Sequence, residues 1–94
     1  MEKDYEAASN CLKALAHPIR LKILHCLKKG ERSVTKIEQF CGQYTQSNIS
    51  QHLGMMKAKG IIKSVKIGNH MLYSVSNKEI YKVLDIIARA YCKS

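Results

Sequence analysis

Apolar residues recur at helical spacing through most of the chain and alternate over one short stretch only. Ala8, Cys11, Leu12 and Leu15 place a stripe on a first helix over residues 4–15. His17-Pro18 ends it, because the residue before a proline disfavours the α region. Pro18 suits the first position of a second helix, 18–28, whose inner stripe is Ile19, Ile23, Cys26 and Leu27. Ser33 caps a short third helix, 34–41, with Glu31 to Val34 as the connection, and Gly42-Gln43-Tyr44 turns the chain into a fourth. That fourth helix starts at the N-cap Thr45, runs about four turns and stops at Gly60 as C-cap. Ile49, Leu53 and Met56 give it a single buried stripe. The following IIKSVKIGNHMLYSVS reads as a β-hairpin turning at Gly68-Asn69, a pair suited to a two-residue turn with positive φ. Asn77 caps a last helix, 78–92, striped by Ile80, Val83, Leu84, Ile87 and Tyr91.

The side of the fourth helix away from its stripe carries Ser47, Gln51, Gly54 and Ala58, flanked by Asn48 and Ser50. Solvated helix faces are usually rich in Glu and Lys. This one is small, polar and free of carboxylates. Such side chains let a helix approach base edges in a major groove and donate or accept there. An exposed helix with a glycine weak spot is the plainer reading, and the charge map weighs against it. No Asp or Glu occurs between Glu38 and Glu79, a stretch that holds Lys57, Lys59, Lys63 and Lys66. Glu2, Asp4 and Glu6 crowd the N-terminus instead. An acid-free segment with clustered lysines suits a polyphosphate surface, where each lysine displaces condensed counterions. Lys66 and His70 flank the hairpin tip. Two helices joined by a tight turn, then a basic-tipped hairpin, make a winged helix-turn-helix: mainly α, with element order four helices, two strands, one helix.

The 94 residues fit one domain spanning 1–94, and the net charge of +9 favours nucleic acid or an anionic membrane as partner. No apolar run exceeds three residues, so neither a membrane-spanning helix nor a signal peptide is expected, and the protein is expected to be cytoplasmic. The apolar last helix needs more cover than a small domain offers. The first and last helices therefore read as a dimer interface through Leu12, Leu15, Ile87 and Tyr91, the alternative being packing onto their own domain. No nucleophile–base pair or phosphate-cradling glycine loop points to an enzyme, and no cofactor is called for. Cys11, Cys26, Cys41 and Cys92 form no CxxC or CxC, which removes the common zinc-finger and thioredoxin readings.

The stretches LKALAHPIRLKILHCLKKGERSV, SNISQHLGMMKAKGII and GNHMLYSV resemble the ArsR/SmtB family of bacterial dimeric transcriptional repressors, over almost the whole chain. The resemblance implies a homodimer that binds an imperfect inverted repeat of duplex DNA and releases it when an inducer arrives. It places Gln46, Ser47, Ser50, Gln51 and His52 at the recognition-helix contacts, although His52 points partly inward by helical count. Thr45, Asn48, Lys57, Lys66, Asn69 and His70 complete the expected DNA-facing set. The segment where many members bind soft metals through two thiolates is here Glu31-Arg32-Ser33-Val34-Thr35-Lys36-Ile37, with hydroxyls at both thiolate positions. The Asp-x-His pair of zinc and nickel sensors is also missing, since Asp85 is followed by Ile86-Ile87. His17, His25, His52 and His70 are scattered, and no metal site is expected.

Cys26 and Cys92 remain, 66 residues apart in ILHCLKKGERSV and ARAYCKS. These motifs resemble the sulfur-sensing branch of the family, which implies a sulfur bridge within one subunit in response to persulfide or polysulfide. Lys28, Lys29 and Lys93 supply local positive charge to activate a thiol. The alternatives are that both cysteines are small buried hydrophobes, or that some of the four, with Cys11 and Cys41, form an arsenite site. A winged helix serving protein–protein contacts is the rival of a different class.

Overall fold

The computed structural model describes residues 2–91, with side-chain surroundings from residue 5 onward. Five helices and three strands run in the order α1 (Glu2–Leu15), α2 (Pro18–Cys26), β1 (Arg32–Ser33), α3 (Val34–Cys41), α4 (Gln46–Ala58), β2 (Ile62–Ile67), β3 (His70–Val75) and α5 (Ile80–Tyr91). His17 holds an extended backbone before Pro18, and its Nδ1 accepts the Ile19 N–H at 3.3 Å, capping α2. The second helix is shorter than its pattern predicts. Its last turn tightens into a 3-10 turn, Leu27–Lys29, that ends at Gly30. The Ser33 and Thr45 hydroxyls accept the Lys36 and Asn48 N–H groups at 3.3 and 3.1 Å, so both caps expected around the helix-turn-helix form. The C-cap of α4 is Lys59 rather than Gly60, which stands one residue beyond it at φ 76°.

A connection expected between the second and third helices is in fact a strand. Arg32 pairs with Tyr73 and Ser33 with Leu72, giving a three-stranded antiparallel sheet in the order β1-β3-β2. The β2–β3 register sets Ile67 opposite His70, so the turn is Gly68-Asn69 as expected. Gly68 has φ 62°, and among the described residues no residue other than glycine has positive φ. Only the first turn position therefore needs the left-handed region, a demand glycine meets without strain. The last helix starts two residues later than its cap pattern predicts. Asn77 Oδ1 accepts the Glu79 N–H at 2.9 Å, and the next three N–H groups bond back three residues before the α pattern settles.

Ile19, Ile23 and Leu24 from α2, Ile37 from α3, Ile49, Leu53 and Met56 from α4, and Ile62 from β2 are fully buried and form the centre of the core. The stripes expected on α2 and α4 are there, with Leu24 an additional member. The two outer helices differ. Leu15 is buried, but Ala8 is exposed and Leu12 is 56% exposed. No residue of α5 is buried. Ile80, Tyr81 and Leu84 rest half-covered on the core, while Ile86 is 61% and Tyr91 82% exposed and Val83 and Ile87 also face outward. Of the four residues expected at a dimer interface, a single chain thus covers Leu15 alone.

Candidate nucleic-acid interface and thiol site

The fully buried stripe of α4 fixes the helix rotationally, and that leaves Gln46, Ser47, Asn48, Ser50, Gln51 and Lys57 exposed. The face bears no carboxylate. The start of α4 is tied by Thr45, and α3 packs behind it, so the polar side chains sit on a rigid element rather than a loop. His52 is turned inward from this face. It is half-buried, its Nδ1 accepts from Arg20 Nε at 3.2 Å, and its ring lies 4.7 Å from that of His17. Burial first, then His17 and Arg20, hold its pKa below the usual histidine range. Arg20 also donates to the carbonyls of Lys13 and Ala14, so one guanidinium ties the end of α1 and the recognition helix to α2. Arg20 carries no sequence signal for this, because its partner lies 32 positions away. At the wing, Lys66, Asn69 and His70 are exposed around the turn, and Lys63 is exposed on β2.

Cys26 lies at the other side of α2, at its last helical position, and is 8% exposed. Burial pushes its thiol up, and the Arg32 guanidinium partly offsets that. The activation expected from Lys28, Lys29 and Lys93 is not what the structure shows: Cys26 is buried and its thiol is held up on balance, no lysine acts on it, and Lys93 lies outside the described residues. Lys28 is 3.1 Å from Asp85 in an exposed ion pair, and Arg32 is the cation acting on the thiol. Tyr81 donates its hydroxyl to the Leu24 carbonyl at 2.7 Å, and burial with a smaller contribution from Cys26 pushes its pKa to about 12. Cys41 is buried on α3, and its thiol is raised by burial and then by the nearby Cys26. Cys11 is half-buried on α1. Cys92 lies outside the described residues. Among the described residues no three His, Cys, Asp or Glu side chains gather as a metal site would require, and no helix is long and apolar enough to cross a membrane.

The helix-turn-helix domain family matches residues 15–65. The transcriptional repressor SmtB of Mycobacterium tuberculosis is 33% identical across 90% of this chain and 63% of its own length. The biofilm growth-associated repressor of Xylella fastidiosa is 30% identical across 98% of this chain and 80% of its own. The chain belongs to the ArsR/SmtB family of transcriptional regulators. The crystal structure of the Xylella repressor BigR superposes on this ArsR/SmtB chain with a TM-score of 0.88, covering 100% of this chain and 95% of that one. The transcriptional activator HlyU of Vibrio cholerae is 32% identical across 100% of this chain and 86% of its own length, and its structure superposes with a TM-score of 0.85 over 99% of this chain and 100% of that one. The winged helix-turn-helix is thus the fold of the family, whose members here are DNA-binding regulators and not enzymes.

Proposed function

We propose that this protein is a homodimeric repressor that releases its operator when reactive sulfur species cross-link Cys26 and Cys92. The position of Cys26 carries this reading. The thiol ends α2, the helix on whose core face α4 rests, and it lies close to where α5 meets α2 through Tyr81 on Leu24 and the 3-10 turn through Asp85 on Lys28. A sulfur bridge to Cys92, the residue that follows Tyr91 in sequence, links the base of the reading head to the helix whose apolar outer face is exposed in a single chain. Shifting α5 alters the spacing of the two reading heads, and a coupling of about 1–3 kcal/mol is typical of such linkage. A relative, HlyU from Vibrio cholerae, has been solved in a form described as reduced, which fits a regulator whose oxidation state matters.

In the DNA-bound form, one α4 per subunit enters each of two successive major grooves, about 34 Å apart. Ser47, Asn48 and Gln51 face the bases, Thr45, Gln46, Ser50 and Lys57 the edges and backbone, and Lys66, Asn69 and His70 the flanking DNA. His52 belongs to this set as a support for the helix. Leu12, Ile87 and Tyr91 meet their counterparts across the dimer, continuous with the buried Leu15. Intact-mass analysis and operator binding after polysulfide, peroxide and arsenite test the sensing step. The polysulfide product gains two sulfurs and loses two hydrogens per subunit. Cys26→Ser and Cys92→Ser bind DNA but do not respond, and Cys11→Ser and Cys41→Ser respond normally. A second reading is a thiol-based arsenite response through some of the four cysteines, of which Cys26 and Cys41 are buried in the same core cluster. An inert Cys41→Ser variant, together with thiolate charge-transfer absorbance on arsenite titration, selects it over the first.

A further inference from the structure

A cleft of about 470 Å³ opens between the end of α2, the 3-10 turn, β1 and the outer face of α3. Cys26 and Phe40 line it together with Lys28, Lys29, Arg32 and Lys36. Its size lies within the range of small-molecule sites. Lys28 is neutralised by Asp85, but among the described residues Lys29, Arg32 and Lys36 have no carboxylate within ion-pair distance. Among the described residues no acid lines the cleft. Cations brought together around one concave wall repel each other, and the low-dielectric wall focuses their field on whatever enters. The backbone carrying two of these cations is fixed, because Arg32 pairs with Tyr73 in β1 and Lys36 sits in the Ser33-capped first turn of α3, and the Arg32 guanidinium also donates to the Glu31 carbonyl at 3.0 Å. A solvated basic face needs neither a concavity nor a thiol in its lining.

We propose that this cleft docks the anionic sulfur donor that modifies Cys26. The inference rests on the sulfur-sensing reading above. Lys29, Arg32 and Lys36 hold the negative charge of a low-molecular-weight persulfide R–S–SH, with R a carboxylate-bearing thiol or an inorganic sulfur chain. The Cys26 thiolate attacks the outer sulfur. A bond forms between Cys26 Sγ and that sulfur, the donor S–S bond breaks, and its electron pair leaves on R–S⁻, giving Cys26–S–SH + R–S⁻ from Cys26–S⁻ + R–S–SH. The cations concentrate the donor and stabilise the departing thiolate. Peroxide is neutral and gains nothing from them, so the cleft gives a chemical ground for preferring sulfur donors over peroxide.

The test measures the rate of Cys26 modification by quenched peptide mass analysis of the full chain, compared between wild type and Arg32→Gln/Lys36→Gln. Glutathione persulfide and inorganic polysulfide are the anionic donors, and dimethyl trisulfide and iodoacetamide are the uncharged reagents. The double variant is expected to slow an anionic donor about 10-fold and flatten its dependence on ionic strength, since steering of this kind is worth about 10-fold or more. The uncharged reagents change by less than about threefold. Whichever anionic donor is slowed identifies the source of the charge. Equal slowing of all four reagents, or of none, overturns the cleft as a donor site. Unchanged donor rates with weakened operator binding overturn it in favour of a DNA phosphate contact. A wild-type protein whose Cys26 acquires no sulfur from any donor overturns the sulfur-sensing reading itself, and the cleft with it.

Discussion

The recognition helix and the last helix are nearly the same length and are built on opposite plans. Helix α4 sinks Ile49, Leu53 and Met56 completely and shows the solvent amides and hydroxyls. Helix α5 is the more apolar of the two and buries nothing completely, keeping Ile86, Ile87 and Tyr91 outside. Hydrophobic content alone therefore does not decide what a helix covers. The narrow stripe of α4 is matched by a waiting core and leaves a clean polar face. The wide stripe of α5 exceeds what one small domain can cover, and apolar surface of that kind marks an interaction site. One helix takes its stability from its own chain and its partner from solution. The other contributes little to its own chain's core and, in a dimer, most to assembly.

The largest expected effect is on the α4 side. Leu53→Ala should cost about 2–5 kcal/mol of folding stability in a urea titration, because a closed core cannot collapse around the lost methyls. Ile87→Glu should leave the stability of a single subunit within about 0.5 kcal/mol, since an exposed position loses no core contact. It should nonetheless convert a dimer to a monomer in sedimentation equilibrium and abolish tight operator binding. An Ile87→Glu chain as unstable as Leu53→Ala would erase the contrast between the two helices. A monomer that still held its operator tightly would sever assembly from DNA binding.

At the polar face the expected effects are smaller. Gln51→Ala should weaken specific operator binding by about 1–3 kcal/mol and spare non-specific binding, the signature of a lost base contact. Lys66→Ala on the wing should weaken both about equally and lower the salt slope by about 1. Competition binding on operator and scrambled duplexes across a salt series separates the two. Unchanged operator preference in Gln51→Ala means that the face of α4 has been assigned to the wrong rotation.

The contrast also marks what the residues alone could disclose. Periodicity located the α4 stripe because a helix with one buried side needs no distant partner to be recognised. Ser33 and Thr45 were legible as caps, and Gly68-Asn69 as the turn, because their chemistry is local. Strand β1 was not legible: two residues show no alternation, and Tyr73 and Leu72 lie some forty positions away. The tightened end of α2 was equally hidden, and with it the cleft. Residues 25–40 bring Cys26, Arg32 and Lys36 around one concavity only after the 3-10 turn and β1 have redirected the chain. The exposure of Tyr91 and Leu12 could be anticipated only as a surplus of apolar surface, since a pattern does not say how much cover is available.

The smallest expected effect concerns how α4 is tied to α2. The tie is Arg20 Nε–H to the unprotonated Nδ1 of His52, with His17 beside it. Burial disfavours the charged ring first, and protonating His52 also removes the acceptor and sets a cation beside His17 and the Arg20 guanidinium. The folded protein therefore holds His52 below its ordinary pKa of 6.5, whereas the unfolded chain does not. Below that value the unfolded chain binds more proton, so stability rises with pH in this window and falls as pH drops from 6.5 toward the lowered folded pKa. Above 6.5 the contribution is fully present. Urea midpoints collected between pH 7.5 and pH 5 should therefore decline in the wild type. The decline should be shallower in His52→Gln, whose amide oxygen can still accept from Arg20 but takes up no proton. Because α5 contains no histidine, Ile87→Glu should show the wild-type decline in this range once compared as monomer. A wild-type midpoint flat across the window would mean that the Arg20–His52 contact does not hold the recognition helix in solution.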